Sequence, residues 1–232
     1  MTEEFCTLIK HAMTREYIPL MIKVGRSVYK IFDISATDSY GRATKRSLEK
    51  LENAQWIPEH VRGYALDMNG QLLRWQSRED GSGRPACTGN VNLLPIESIY
   101  GDWEGIVYFD FTKDERLKHF KVVDLFQDEA CVGLYHDEAQ DPGLYFFAFG
   151  EGLAPYPLHL DLKGYLTLLT CTLGYTYWPL AVLALRPDDG RNPAYRANLN
   201  FTQKFRRDME AWVPEFKYDE FVALYEQVRL RP

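Results

Sequence analysis

From Tyr165 to Leu185 the chain carries no charged residue, and this run limits the possible folds more than any other stretch. It has the length of a membrane span, and Lys163 and Arg186 flank it where snorkelling residues would sit. Its composition points elsewhere. Thr167, Thr170, Thr172 and Thr176 dilute it, Gly174 and Pro179 interrupt it, and Tyr175, Tyr177 and Trp178 stand in its middle instead of at its edges. The run therefore predicts a buried helix, a break and a second buried segment, with no membrane span. Leu162, Tyr165, Leu166, Leu169 and Leu173 form one helical stripe wide enough to face a core. Gly174 is then the natural C-terminal cap.

A chain of 232 residues with 46% hydrophobic and 14% aromatic residues can bury a sizeable core as one larger domain. Its net charge of −6 comes without a dense Lys/Arg run, which counts against direct nucleic-acid binding and favours a basic partner over an acidic one. The amino end, MTEEFCTLIKH, places two acids before its apolar residues, the reverse of a secretory signal, so a cytoplasmic location is expected. Cys6, Cys87, Cys131 and Cys171 lie far apart with no CxxC pair, which predicts reduced, structural thiols.

Read in order, the chain predicts helices, then several strands, then helices. Thr2 caps a first helix whose apolar face is Phe5, Leu8, Ile9, Ala12 and Met13. Val28 to Ile34 is rich in β-branched and aromatic residues and reads as a strand. A helix follows over Arg42 to Ala54. Another starts at Pro58 and ends near Met68, before the Asn69-Gly70 turn and a strand from Gln71 to Gln76. Ser77 to Gly89 is polar and glycine-rich and reads as a surface loop. Ile106 to Phe111, Val122 to Phe126, Cys131 to Tyr135 and Leu144 to Phe149 read as strands, with KDERLKHF as a solvated turn. Near the carboxyl end, Phe201, Phe205, Met209 and Trp212 share one helical face, and Phe221, Leu224, Tyr225 and Val228 share another beyond Pro214. This order is that of an α+β fold, with a mostly antiparallel or mixed sheet, flanking helices and an extra C-terminal helical pair.

Familiar catalytic signatures are missing from the sequence: it has no GxxxxGK[ST], GxGxxG after a strand, HExxH or GxSxG. Cys131 and His136 are close in sequence, but a nucleophile and its base must meet in space, and a strand followed by a loop does not ensure that. The acids Asp137, Glu138 and Asp141 do not have calcium-loop spacing. As a binding element they serve better as a contact for a basic protein, where complementary charge speeds encounter and aids selection. Tyr175, Tyr177 and Trp178 are expected in the core.

The segment SLEKLENAQWIPEHVRGYALDMNGQLLRW resembles the amino-terminal signature of the SUKH superfamily, the Smi/Knr-like proteins, through Pro58, Tyr64, Asn69 and Gly70. Farther on, LDLKGYLTLLTCTLGYTYWP is similar to a helix near the end of such proteins, through Tyr165, Leu166, Gly174 and Trp178. The resemblance spans Arg42 to Leu185. It implies an α+β domain, which with an added N-terminal extension is expected over residues 1–190; the amphipathic helices over 191–232, read from their periodicity, go beyond the family's simplest members and are expected to pack on the same domain. It also implies a protein that binds another protein, in bacteria most often as an immunity protein that neutralises a toxin. Many such toxins are basic nucleases, and an acidic inhibitor suits them. The resemblance carries over no catalytic residue, cofactor or metal site. The expectation is thus a non-enzymatic binder of a cognate protein toxin, with Asp137, Glu138 and Asp141 in its interface; a regulatory or scaffolding protein of the same superfamily, or a small enzyme, is the alternative.

Overall fold

The computed structural model describes residues 2–27, 32–37, 43–51, 57–77, 87–136, 143–149, 154–186 and 194–231. The fold is α+β, and from β3 to β7 its strands pair antiparallel. The contacts divide the chain into two compact units, each assembled from separate stretches of sequence.

The first unit comprises residues 1–36, 73–90 and 164–229. Thr2 caps helix α1 (Glu3–Lys10) as its sequence demands, its hydroxyl accepting from the Phe5 amide at 3.3 Å. Phe5 and Leu8 are buried. Helix α2 (Tyr17–Ser27) follows α1. Strand β1 (Phe32–Thr37) begins four residues after the expected Val28; residues 28–31 lie outside the described set. Strands β2 (Gln71–Gln76) and β3 (Thr88–Leu93) contribute residues 73–76 and 88–90 to this unit. The loop expected over Ser77 to Gly89 overlaps β3 by two residues, since Thr88 and Gly89 already lie in the strand; residues 78–86 lie outside the described set.

The uncharged run becomes helix α6 (Leu162–Cys171), a tight turn and helix α7 (Trp178–Ala184). Gly174 terminates α6 in a left-handed conformation, φ 66°, its amide donating to the Leu169 carbonyl at 2.8 Å. Leu173 and Tyr177 also adopt positive φ, 52° and 63°. Tyr175 and Trp178 are buried and Tyr177 is half-buried. Among the described residues no helix is long and apolar enough to cross a membrane. Helices α8 (Ala194–Trp212) and α9 (Tyr218–Val228) complete the unit. Phe205 and Met209 of the first, Phe221 and Tyr225 of the second, and Phe216 between them are buried together with Phe5, Tyr165 and Trp178 as its core.

The second unit comprises residues 37–72, 91–163 and 230–232. Helix α3 (Lys45–Glu49) is shorter than expected, closed at its start by a reciprocal pair of hydrogen bonds between Thr44 and Ser47. Helix α4 (Glu59–Asp67) begins after Pro58 and ends at the predicted Asn69-Gly70 turn, where both residues have positive φ, 48° and 102°. Asn69 contributes more than a turn. Its buried Oδ1 accepts from the Ile96 amide at 2.8 Å, which fixes the start of helix α5 (Ile96–Ile99). A 3-10 helix (Glu115–His119) occupies the predicted solvated turn. It leads into β4 (Phe120–Gln127), β5 (Ala130–Tyr135), β6 (Tyr145–Ala148) and the two-residue β7 (Tyr156–Pro157). These strands neighbour one another in chain order. All six residues of β5 are buried, so this strand is covered on both faces, and Phe120, Val122, Val132, Leu134 and Phe147 form the core around it.

Candidate protein interface

The segment between α5 and the 3-10 helix was expected to contain a strand over Ile106 to Phe111. It forms no strand there; Glu104 to Tyr108 is held by turns and one isolated bridge. Aromatic and β-branched richness, the basis of the strand expectation, here serves exposure instead of a sheet.

Two side chains anchor the loop. Trp103 is buried and its Nε1 donates to the Ile99 carbonyl at 3.0 Å; Val107 is buried as well. Hydrogen bonds then fix the backbone between and beyond them. The Ile106 and Val107 amides donate to the Trp103 carbonyl at 3.2 and 2.9 Å, and Gly105, at φ +80°, donates its amide to the Tyr108 carbonyl at 2.7 Å. Asp102 Oδ1 accepts from the Glu104 amide at 3.0 Å and from the Tyr108 hydroxyl at 2.7 Å. Phe109 and Thr112 are tied twice, through the Thr112 amide to the Phe109 carbonyl and the Phe109 amide to the Thr112 hydroxyl. At the base, Lys121 Nζ donates to the Gly101 carbonyl at 3.0 Å.

With Trp103 and Val107 turned inward, Ile106, Phe109 and Phe111 are left outward at 46%, 41% and 74% exposure, the large hydrophobic side chains most open to solvent among the described residues. The Phe109 and Phe111 rings stack in parallel, 5.2 Å apart. Around them Asp102, Glu104 and Asp110 are exposed, and no basic residue interrupts the stretch from Asp102 to Thr112. The Tyr108 hydroxyl and the Glu104 amide hold the Asp102 carboxyl below the usual carboxylate range. Glu104 is raised by a hydrogen bond and the like charge of Asp110. The bond to Asp102 pushes the Tyr108 phenol up to about 12. Chemically this is an exposed apolar patch with three acids in the same loop, while Lys121 and Lys118 stand near enough to act on Asp102 and Glu104.

The remaining sequence candidates fare differently. Asp137, Glu138 and Asp141 lie outside the described residues. Cys131 and His136 are not brought together: Cys131 to Tyr135 alone covers four strand rises, about 13 Å. Burial and the neighbouring Asp124 raise the fully enclosed Cys131 thiol well above its ordinary value. His136 stacks on His119 and its Nδ1 meets the His119 carbonyl at 3.1 Å. All four cysteines are free thiols. Among the described residues no cluster of three or more His, Cys, Asp or Glu is arranged to hold a metal ion. In the first unit the buried Tyr175 hydroxyl donates to the buried Asp208 Oδ2 at 3.0 Å, and Asp208 also pairs with the more exposed Lys204 and Arg207. Burial and the Asp208 carboxylate push the Tyr175 phenol up, which fits a structural tie between α8 and the turn after α6.

Comparison with known proteins finds no matching family model, no matching curated protein and no matching solved structure. The functional reading therefore rests on the residues themselves.

Proposed function

We propose that this chain is a non-enzymatic protein-binding domain of SUKH type, an immunity protein that neutralises a toxin by direct association. The observation that carries the reading is the loop that exposes Ile106, Phe109 and Phe111 together with Asp102, Glu104 and Asp110. Interfaces concentrate their energy in a few aromatic anchors surrounded by a polar rim, and this loop has both parts. Scaled by the exposed fractions of the three side chains, burying them on a partner stabilises the complex by roughly 2–5 kcal/mol. The three exposed acids of the loop favour a basic partner over an acidic one and add to the encounter rate. The net charge of −6 acts in the same direction.

The test compares two tagged baits in a lysate of the source organism: the natural chain and a variant with Ile106→Ser, Phe109→Ser and Phe111→Ser. One toxin-like chain, retained by the first bait and lost by the second, is expected, and co-expressing this protein should relieve that chain's growth inhibition. Identical retention by both baits removes the loop from the interface. A retained chain without growth inhibition refutes the immunity role.

A further inference from the structure

In the second unit the backbone pairing of β4 and β5 runs one step past their ends. Phe120 stands opposite Tyr135, and the His136 amide then donates to the His119 carbonyl at 3.1 Å. That pairing sets His119 and His136 side by side, their ring centres 5.1 Å apart and their planes 26° from parallel. His119 is exposed and His136 half-buried, so solvent reaches the pair.

One hydrogen bond sets its chemistry. His136 Nδ1 lies 3.1 Å from the His119 carbonyl oxygen, which can only accept, so Nδ1 carries the hydrogen and the neutral ring keeps its lone pair on Nε2. A backbone carbonyl on one ring nitrogen is the usual partner of a metal-binding histidine, because it orients the ring and makes the other nitrogen more basic. The spacing fits as well. Two imidazoles bound to one tetrahedral ion by bonds of about 2.0–2.1 Å have ring centres about 5 Å apart. The near-parallel planes have to open for this, and the exposed His119 ring can turn to open them. The neighbouring cations are each engaged elsewhere: Lys118 pairs with Glu115 at 2.7 Å, Arg116 lies over the Tyr135 ring at 4.3 Å, and Lys121 donates to the Gly101 carbonyl.

We propose that His119 and His136 form a two-histidine site for a divalent first-row transition-metal ion of the zinc, nickel and copper class, with water completing the coordination. Imidazole nitrogen selects these ions over magnesium and calcium, which take oxygen ligands. Two protein ligands hold an exchangeable ion, which clips the start of β4 to the end of β5. This site is independent of the Ile106–Phe111 loop and of the toxin reading.

The test uses the full-length chain without an affinity tag, and divalent nickel as the probe. Isothermal titration calorimetry should show saturable binding of one ion, with no such binding of magnesium. His119→Gln and His136→Gln should each raise the dissociation constant about tenfold or more, because each removes one arm of the chelate, and both should leave the circular dichroism spectrum unchanged. His11→Gln, at a histidine held by Thr14 and Glu16 in the first unit, should bind as the natural chain does. A second readout needs no variant: nickel should slow the modification of His119 and His136 by diethyl pyrocarbonate, mapped by mass spectrometry, and leave His11 unaffected. No saturable nickel binding, or equal binding of magnesium, overturns the site. Unchanged affinity in His119→Gln or His136→Gln, or protection of His11 equal to that of the pair, overturns its assignment to these two residues.

Discussion

Gly89→Ala tests the packing around the turn after α6 at a single atom. A Cβ on Gly89 would stand 2.0 Å from Trp75 Nε1 and 2.2 Å from its Cε2, so something must move. The strand backbone cannot easily retreat. Gly89 bridges Tyr175, the Asn90 amide donates to the Gly174 carbonyl and the Thr176 amide to the Thr88 carbonyl, both at 2.9 Å. The indole must shift instead, and it is buried with Nε1 donating to the Leu173 carbonyl at 2.6 Å. Overpacking of this kind costs about 1–3 kcal/mol. Parting a buried donor from its acceptor costs about 1–3 kcal/mol more. The expected loss is therefore roughly 2–6 kcal/mol, a large part of a typical domain's 5–15. Urea denaturation followed by far-UV circular dichroism reads this as a lowered midpoint with an unchanged slope. Phe at position 75 lacks the indole Nε1 and Cζ2, so Trp75→Phe combined with Gly89→Ala should lose clearly less than the sum of the single changes. A loss below about 0.5 kcal/mol for Gly89→Ala, or strict additivity in the double variant, refutes the steric argument.

Other positions give independent checks. Gly133→Ala on β5 would put a Cβ 2.4 Å from the Lys121 carbonyl oxygen and 2.5 Å from the Phe120 ring; since the first contact is backbone, the sheet must distort, and about 2–4 kcal/mol should be lost in the same denaturation assay. Asn69→Gly keeps the positive φ but removes the Oδ1 acceptor of the Ile96 amide, costing about 1–3 kcal/mol, and Asn69→Ala should cost more because it adds left-handed strain. Tyr175→Phe should cost about 1 kcal/mol, because Asp208 keeps Lys204 and Arg207, whereas Asp208→Ala strips the buried Tyr175 hydroxyl of its acceptor and should cost more. His60 is lowered from its ordinary 6.5 by burial, against a raising effect of Asp161, so the folded state resists its protonation. Stability should therefore fall as pH drops below about 6.5 and level off once the depressed folded value is passed. His60→Gln should flatten that part of a thermal-melting profile against pH, and an unchanged slope in the variant excludes His60 as its source.

The local signals in the sequence translate well into structure. Thr2 caps α1, the stripe from Leu162 forms α6, Gly174 ends it with positive φ, and Asn69-Gly70 makes its turn. Each of these depends on neighbours within a few residues, and so is written in the local sequence. The errors come where tertiary context decides. The Ile106–Phe111 segment has the side chains of a strand, but Trp103 and Val107 are drawn into the second unit's core and the chain between them must turn. Thr88–Leu93 carries little strand propensity, with Gly89, Asn90 and Asn92 in its six residues, yet it pairs because Leu93 meets Asp124 and the Asn92 amide finds the Asp124 carboxylate at 2.9 Å. The apolar loop had one readable trace. Gly101 and Gly105 bracket Trp103, and acids stand at 102, 104 and 110, a pattern poorly suited to a buried strand.

That misreading bears on function, because a loop and a strand offer a partner different things. A strand exposed at an edge presents backbone amides and carbonyls to any other strand, a promiscuous surface. In the loop, the amides of Glu104, Gly105, Ile106, Val107, Phe109 and Thr112 are already satisfied internally, so fewer backbone donors stay open to another strand than on a sheet edge. Side-chain recognition by a pre-ordered surface is selective, and the entropy of ordering it has been met in folding instead of at binding. The two groups that a Cys/His enzyme would need are separated, with the Cys131 thiol enclosed in β5 and held protonated by burial and Asp124, a state in which it is a poor nucleophile. The chain places its large exposed aromatic rings, Phe109 and Phe111, on a hydrogen-bonded loop and encloses its Cys131 thiol in the core of the second unit.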